Sequence, residues 1–425
     1  MNLTVITAGL TLIIIGLLVC SILDSTFADY LIISGIAYIL YNTTNEQPIL
    51  GGSVNTNKQL KIYSCAHSHN SGIIVDSELL TFILGSTPVY TDKQLIRNAD
   101  IIIHLERITP GLSAKYHVWI PNQELISTWC DKNKYNVDLI LCKSHKTVDV
   151  ITNLYKKSDR PIPPIIYTSF TSMCDKKLAY TPRKKFDETL VVLSASSVMK
   201  NVDLIIDIWL ANDCFKKTCK NSKLYIIYGM LFDKTFIRRY VKINTLIHNH
   251  IKNHCGESVY NKFVDDLKIK NKITIKNTNI TLFNKLPYDE YTQILNKAGI
   301  VLCCSLAEGF GHYINESKYY GNLILTTDAP PMNELITLPE LCVKATSRGS
   351  INDFDLRNSI MPSPAYGVDP NDFAKKFISL YNTKNKSHIR EKLYDSYIQN
   401  DKFVRKEIKN IFKNIKLHNT TTIPY

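Results

Sequence analysis

Apolar runs of strand length alternate with stretches of helical spacing through most of the chain. Residues 60–66, 99–105, 118–120, 137–142 and 165–167 are short apolar runs, and residues 74–84 between the first two have helical spacing. A basic, polar stretch, 171–187, interrupts the pattern and then the alternation resumes. Residues 189–194, 223–229, 273–275, 300–304 and 323–326 are strand-like, while Val202, Ile205, Ile206 and Trp209 keep helical spacing, as do residues 288–296. Strands alternating with helices predict parallel sheets of an α/β protein. Two such blocks, 58–170 and 188–370, predict two doubly wound, Rossmann-like domains joined by a connector at 171–187. Residues 371–425 follow with two lysine-rich helical patterns, at 369–381 and 389–415.

The most informative stretch is 300–336. An apolar run ends in Glu308-Gly309-Phe310-Gly311, a helical segment runs from His312 to Tyr320, and Gly321 stops it before the next strand. Pro330 and Pro331 then open a short helix carrying Glu334. Strand, glycine turn and helix make one βαβ unit, with its turn at the carboxyl end of a strand, where open α/β sheets bind ligands. Gly309 and Gly311 permit close approach of backbone to ligand. The free amides of Gly311, His312 and Tyr313 at the helix start suit a phosphate. Glu308 and Glu316 flank that helix start, and a carboxylate can accept hydrogen bonds from two neighbouring hydroxyls, as in a ribose diol. Phosphate donors and diol acceptors within one ligand's length describe a nucleotide sugar; no Gly-Lys-Ser/Thr follows to mark an ATP loop.

Glu308-Gly309-Phe310-Gly311, Glu316, Gly321 and Glu334 together resemble the donor-site signature of the retaining GT-B glycosyltransferases, the glycogen-synthase-like superfamily with an E-x7-E motif. The resemblance implies two Rossmann-like domains facing a cleft. The N-terminal domain would take the acceptor and the C-terminal domain (188–370) the nucleotide-sugar donor, and the last helices would return in part to the first domain. It implies that Glu308 contacts the donor sugar and Glu316 the ribose, with Gly309, Phe310, Gly311, His312, Tyr313 and Glu334 in the donor site. Lys200, with Asn201 beside it, fits the lysine that grips the donor diphosphate. The family's arginine would fall near Ser194 or Ala195, so that charge is missing here. Ser71-Gly72 takes the place of the family's glycine loop beside the phosphates. His104 and Glu106 resemble a His–Glu region lining the sugar pocket, which makes His104 a catalytic candidate. Residues 119–124 also resemble superfamily members, with no role attached. His67 and His69 fit polar loop positions.

Composition adds compartment and partners. The formal charge is +13 over 425 residues. The basic residues are scattered, with no arginine-rich stripe interleaved with aromatics, so nucleic acid is not an expected partner. Eleven cysteines contain no C-x-x-C pair, which argues against a zinc knuckle or redox motif and for a reducing compartment. No metal site or cofactor is implied, and Asp353–Asp355 reads as a solvated loop. Residues 3–23 are apolar and long enough to cross a bilayer, and no basic n-region or cleavage site marks a signal peptide. Residues 1–43 are therefore expected to be a single-pass membrane anchor, with 44–57 as linker and the catalytic part cytosolic. The expected function is transfer of a sugar from a nucleoside-diphosphate sugar to an unidentified glycan, lipid or protein, with retention and without metal. The alternatives are a catalytically silent sugar- or nucleotide-binding protein of the same fold and a basic, membrane-tethered nucleic-acid binder.

Overall fold

The computed structural model describes residues 60–66, 71–90, 96, 98–156, 160–182, 189–192, 197–211, 222–227, 272–275, 279–283, 286–353 and 363–423. The expected membrane anchor and linker, His67, His69, Ser194 and Ala195 lie outside the described residues. Among the described residues, no helix is long and apolar enough to cross a membrane.

The elements of the first lobe are β1 (Ile62–Ala66), α1 (Ser71–Leu84), β2 (Thr87–Val89), β3 (Ala99–Leu105), β4 (Ser113–Ile120), α2 (Thr128–Asn133), β5 (Leu139–Cys142), α3 (His145–Tyr155) and β6 (Ile165–Tyr167). They form a parallel sheet in the order β2-β1-β3-β4-β5-β6. The second lobe comprises β7 (Thr189–Val192), α4 (Val202–Ala211), β8 (Lys223–Ile227), β9 (Lys272–Ile275), β10 (Ile280–Phe283), α5 (Tyr288–Lys297), β11 (Ile300–Cys303), α6 (His312–Tyr319), β12 (Leu323–Thr327), α7 (Met332–Leu335) and β13 (Cys342–Val343). Its sheet order is β13-β12-β11-β7-β8-β10-β9, parallel except for the β9–β10 edge. A polar hairpin, β14 (Ala345–Ser350) and β15 (Pro364–Val368), follows, then α8 (Pro370–Asn382), α9 (Lys386–Lys413) and β16 (Thr421–Thr422), which adds antiparallel to β4. Both lobes belong to one compact unit, Leu60–Tyr425.

The apolar runs are continuous because the central strands are covered on both faces. Every residue of β3 and of β11 is buried. Where a polar group enters such a strand it carries a partner: Asp100 of β3 accepts from Lys115 Nζ at 2.8 Å and from the Lys61 amide at 3.0 Å. Helix α9 ties the lobes together. Its Leu393 and Tyr397 sit in the second lobe's core, and its Val404, Ile408 and Phe412 sit in the first lobe's. The carboxyl ends of β3, β4 and β5 and the carboxyl end of β11 thus lead into loops that meet where the lobes join.

Candidate functional site

The loop after β11 is built to hold one carboxylate. Glu308 is buried, and its Oε1 accepts from Ser305 Oγ at 2.5 Å and from the ammonium of Lys200. Lys200 also lies over the Tyr313 ring, 4.2 Å from its centroid, and the Tyr313 hydroxyl pairs with Ser305. Two side chains, Ser305 from the turn and Tyr313 from the helix start, therefore fix the Glu308–Lys200 pair. Gly311 caps α6 at φ 100°, a conformation open to glycine at little cost. Asn201, next to Lys200, has φ 52°, and its buried Nδ2 has no hydrogen-bond partner among the described residues. Asparagine is one of the few residues that tolerates that backbone, so an unsatisfied donor is held beside the cation.

Glu316, on the second turn of α6, is buried as well. Its Oε2 accepts from Tyr291 OH at 2.6 Å. Burial raises its carboxyl above the ordinary range, with Tyr291 and His312 offsetting part of the rise. The exposed Tyr288 ring stacks near Tyr291, with centroids 6.2 Å apart. Tyr291 carries the second carboxylate, and sequence reasoning missed it; its spacing from Tyr288 resembles any helix face. Ser305 was missed because a single serine after a strand carries no pattern.

The turn also meets the first lobe. The Glu308 carbonyl accepts from Gln123 Nε2 at 2.6 Å. A Cβ on Gly309 would lie 2.7 Å from Asn122 Oδ1 and 2.8 Å from Glu124 Oε1, so any other residue there would displace those side chains. His312 Nε2 lies 2.7 Å from Asp76 Oδ1, and its Nδ1 is 2.8 Å from Ser172 Oγ. Asp76 also accepts from Lys143 Nζ at 2.8 Å. Burial alone would raise the Asp76 carboxyl, but Lys143 and His312 hold it below its ordinary value. Gly72 is the second residue of α1, one turn before Asp76, whose carboxylate reaches His312 of the second lobe.

Three expected site residues are placed otherwise. His104 lies inside the first sheet, fully buried, 3.0 Å from His117 Nδ1 and accepting the Thr109 amide at 3.0 Å. It is a core histidine rather than a cleft-wall residue. The Phe310 side chain is wedged into the first lobe's core, edge-on to Phe170 at 5.6 Å, so its ring contacts protein. Glu334 spends its carboxylate on the start of α3, accepting from the His145 and Lys146 amides at 2.7 and 3.0 Å. Those bonds make it a bridge from the second lobe to the first. A cavity of about 150 Å³ lined by Lys143, Phe310, Lys318 and Glu334 lies beside this bridge and does not include Glu308, Lys200 or Glu316. Among the described residues, no group of three His, Cys, Asp or Glu side chains is arranged to hold a metal.

No protein-family model and no curated protein matches the sequence. Solved structures do match in three dimensions. Trehalose-6-phosphate synthase OtsA is 10% identical, covers 76% of this chain and 74% of its own, and superposes with a TM-score of 0.51. An Escherichia coli trehalose-6-phosphate protein bound with UDP-2-fluoro glucose is 10% identical, with 76% and 75% covered and a TM-score of 0.53. The pneumococcal O-GlcNAc transferase GtfA, in complex with UDP and GlcNAc, is 14% identical with a TM-score of 0.47; the match covers 74% of this chain and 56% of that one. The chain therefore spans little more than half the length of that transferase. With its two parallel sheets and the glycine turn between them, the chain has the fold of the GT-B glycosyltransferases.

Proposed function

We propose that this protein is a retaining glycosyltransferase that uses a nucleoside-diphosphate sugar. The observation that carries the proposal is the second-lobe arrangement of Glu308 on Lys200 and Ser305, with Glu316 on Tyr291 at the far side of the same helix start. Charge develops on the leaving diphosphate as the sugar departs, and fixed positive groups aimed there lower the barrier. Lys200, the unsatisfied Asn201 amide and the amides at the start of α6 supply them. They stand in for the arginine absent from the sequence at 194–195. Glu308 orients sugar hydroxyls, and Glu316 accepts from the ribose diol. No metal is needed in this scheme, and the acceptor is a glycan, lipid or protein reaching the cleft from the first lobe. We further propose that residues 3–23 anchor the chain in a membrane with the catalytic part on the cytosolic side.

The test is a screen of nucleoside-diphosphate sugars for thermal stabilisation, followed by donor hydrolysis or transfer. A bound donor raises apparent stability with the logarithm of its concentration over Kd. Turnover by the wild type that is lost in Glu308→Ala, with folding intact, supports the enzyme. Donor binding with no turnover supports the catalytically silent alternative, which the missing arginine favours.

A further inference from the structure

The cavity beside the Glu334 bridge holds a charge that the donor site does not use. Both lobes and α9 line it, with Lys143, Ser169, Lys318, Glu334, Thr337 and Ser396 among the lining residues. Its volume of about 150 Å³ lies below the ~300–1,000 Å³ of sites for drug-sized ligands, so an ion or a molecule of a few heavy atoms fits and a nucleotide sugar does not. Thr337 is exposed, which gives the cavity access to solvent.

Lys318 stands on α6, two residues after Glu316. It is 4% exposed, and its Nζ donates to the Leu335 carbonyl at 3.1 Å. Among the described residues, no carboxylate lies within ion-pair distance of it. Burial alone lowers its ammonium to about 8, as happens when no anion offsets the lost hydration. The other charges around the cavity have partners. Lys143 pairs with Asp76 at 2.8 Å, and Asp76 also meets His312. Both Glu334 oxygens accept from amides at the start of α3, where the helix dipole favours a negative charge. Glu316 is turned to Tyr291, and on α9 Asp401 pairs with Arg405 at 2.7 Å. Ser169 donates to Asn400 Oδ1 at 2.9 Å and Ser396 to the Leu393 carbonyl at 2.8 Å. The donors that remain for a ligand include the other N–H groups of the Lys318 ammonium and the Thr337 hydroxyl. A buried ammonium without a counter-charge is costly, and a small anion against it gains a charge-assisted hydrogen bond.

We propose that this cavity is a binding site for a small monovalent anion of the carboxylate class, held by Lys318 and Thr337 at the junction of the lobes. One negative charge answers Lys318; a second would face Glu334. Bound between α6, α9 and the first lobe, the anion stabilises the joined arrangement of the lobes. The site is separate from Glu308 and Glu316 and does not rest on the glycosyltransferase reading.

The full chain is titrated with sodium acetate and, at matched ionic strength, with sodium sulfate, and binding is read from the rise in Tm. Wild type is expected to give a saturable rise with acetate. Its acetate affinity is expected to be about tenfold weaker at pH 9 than at pH 7, because the amine that must carry the proton titrates at about 8. Sulfate is expected to bind more weakly than acetate. Lys318→Met is expected to lose the saturable rise. Lys318→Arg, charged at both pH values, is expected to keep it with equal affinity at pH 7 and pH 9. No saturable rise with acetate in wild type overturns the proposal. An acetate affinity in wild type that is equal at pH 7 and pH 9 overturns it too, whether or not either variant folds, and so does acetate binding that survives in a folded Lys318→Met. Sulfate binding as tight as acetate overturns the assignment of a single charge. No nucleotide enters the assay, so these results leave the glycosyltransferase reading to its own test.

Discussion

Glu124→Gln removes a proton-binding group from the junction between the lobes while preserving its outline. In an unfolded chain that carboxyl ionises with a pKa near 4.5, and in the folded protein burial, reinforced by Glu106 and Glu308 and relieved in part by Lys143, pushes it up to about 7. The folded state therefore holds the proton more tightly across that interval, so stability contributed at this position falls as pH rises from about 4.5 to about 7 and is level beyond. At 1.36 kcal/mol for each pKa unit, the accumulated penalty above pH 7 is on the order of 3 kcal/mol. Glutamine does not ionise and escapes it. The variant should match wild type near pH 4.5 and exceed it at pH 8 by up to about 3 kcal/mol, a rise in Tm of about 1–2 °C per kcal/mol at this chain length. Denaturant unfolding of both proteins at a series of pH values is the assay. Parallel stability curves, with a constant offset or none, would show that Glu124 is ionised in the folded protein and that its surroundings are solvated.

Four other substitutions probe the same junction. Phe310→Ala leaves a hole in the first lobe's core and should cost about 3–5 kcal/mol, seen as a lower denaturation midpoint, because the ring is buried against Phe170. Glu334→Gln weakens the bridge to α3, at a cost of about 1 kcal/mol by analogy with helix N-caps; faster limited proteolysis of the loops between the lobes would report it. Tyr291→Phe removes the hydroxyl held by Glu316 and should weaken free nucleoside diphosphate binding several-fold, with little change in stability. Lys200→Met should weaken nucleoside diphosphate at least tenfold by calorimetry, since it removes the cation assigned to the phosphates.

Sequence and structure agree where the signal was local. The apolar run at 99–105 and the run at 300–304, over Ile300–Cys303, became strands, because buried parallel strands need apolar side chains on both faces. Glu308 and Glu316 stand out in the sequence because glycines and carboxylates sit at fixed offsets around one helix start, and the structure buries both carboxylates there. What the sequence does not show is long-range. Glu334 looks like a donor ligand in a row of motif residues, yet its partners are amides 188 and 189 positions away. His104 ends an apolar run, but nothing in the run shows that His117 on the adjacent strand will take up its ring nitrogen. The β14–β15 hairpin is polar along Ala345–Ser350 and mostly exposed, so no hydrophobic period marks it. Asn122 and Glu124 sat in a segment to which no role could be attached. They matter because Gly309 folds against them, 185 and more positions on.

The claim on which the rest depends is that the Glu308 carboxylate faces a donor sugar. It is tested most directly by donor turnover and binding in Glu308→Gln. The predicted result is a loss of transfer or hydrolysis of at least a hundredfold, with free nucleoside diphosphate still bound and the fold intact. A Glu308→Gln protein that turns over its nucleotide sugar at the wild-type rate would contradict the account.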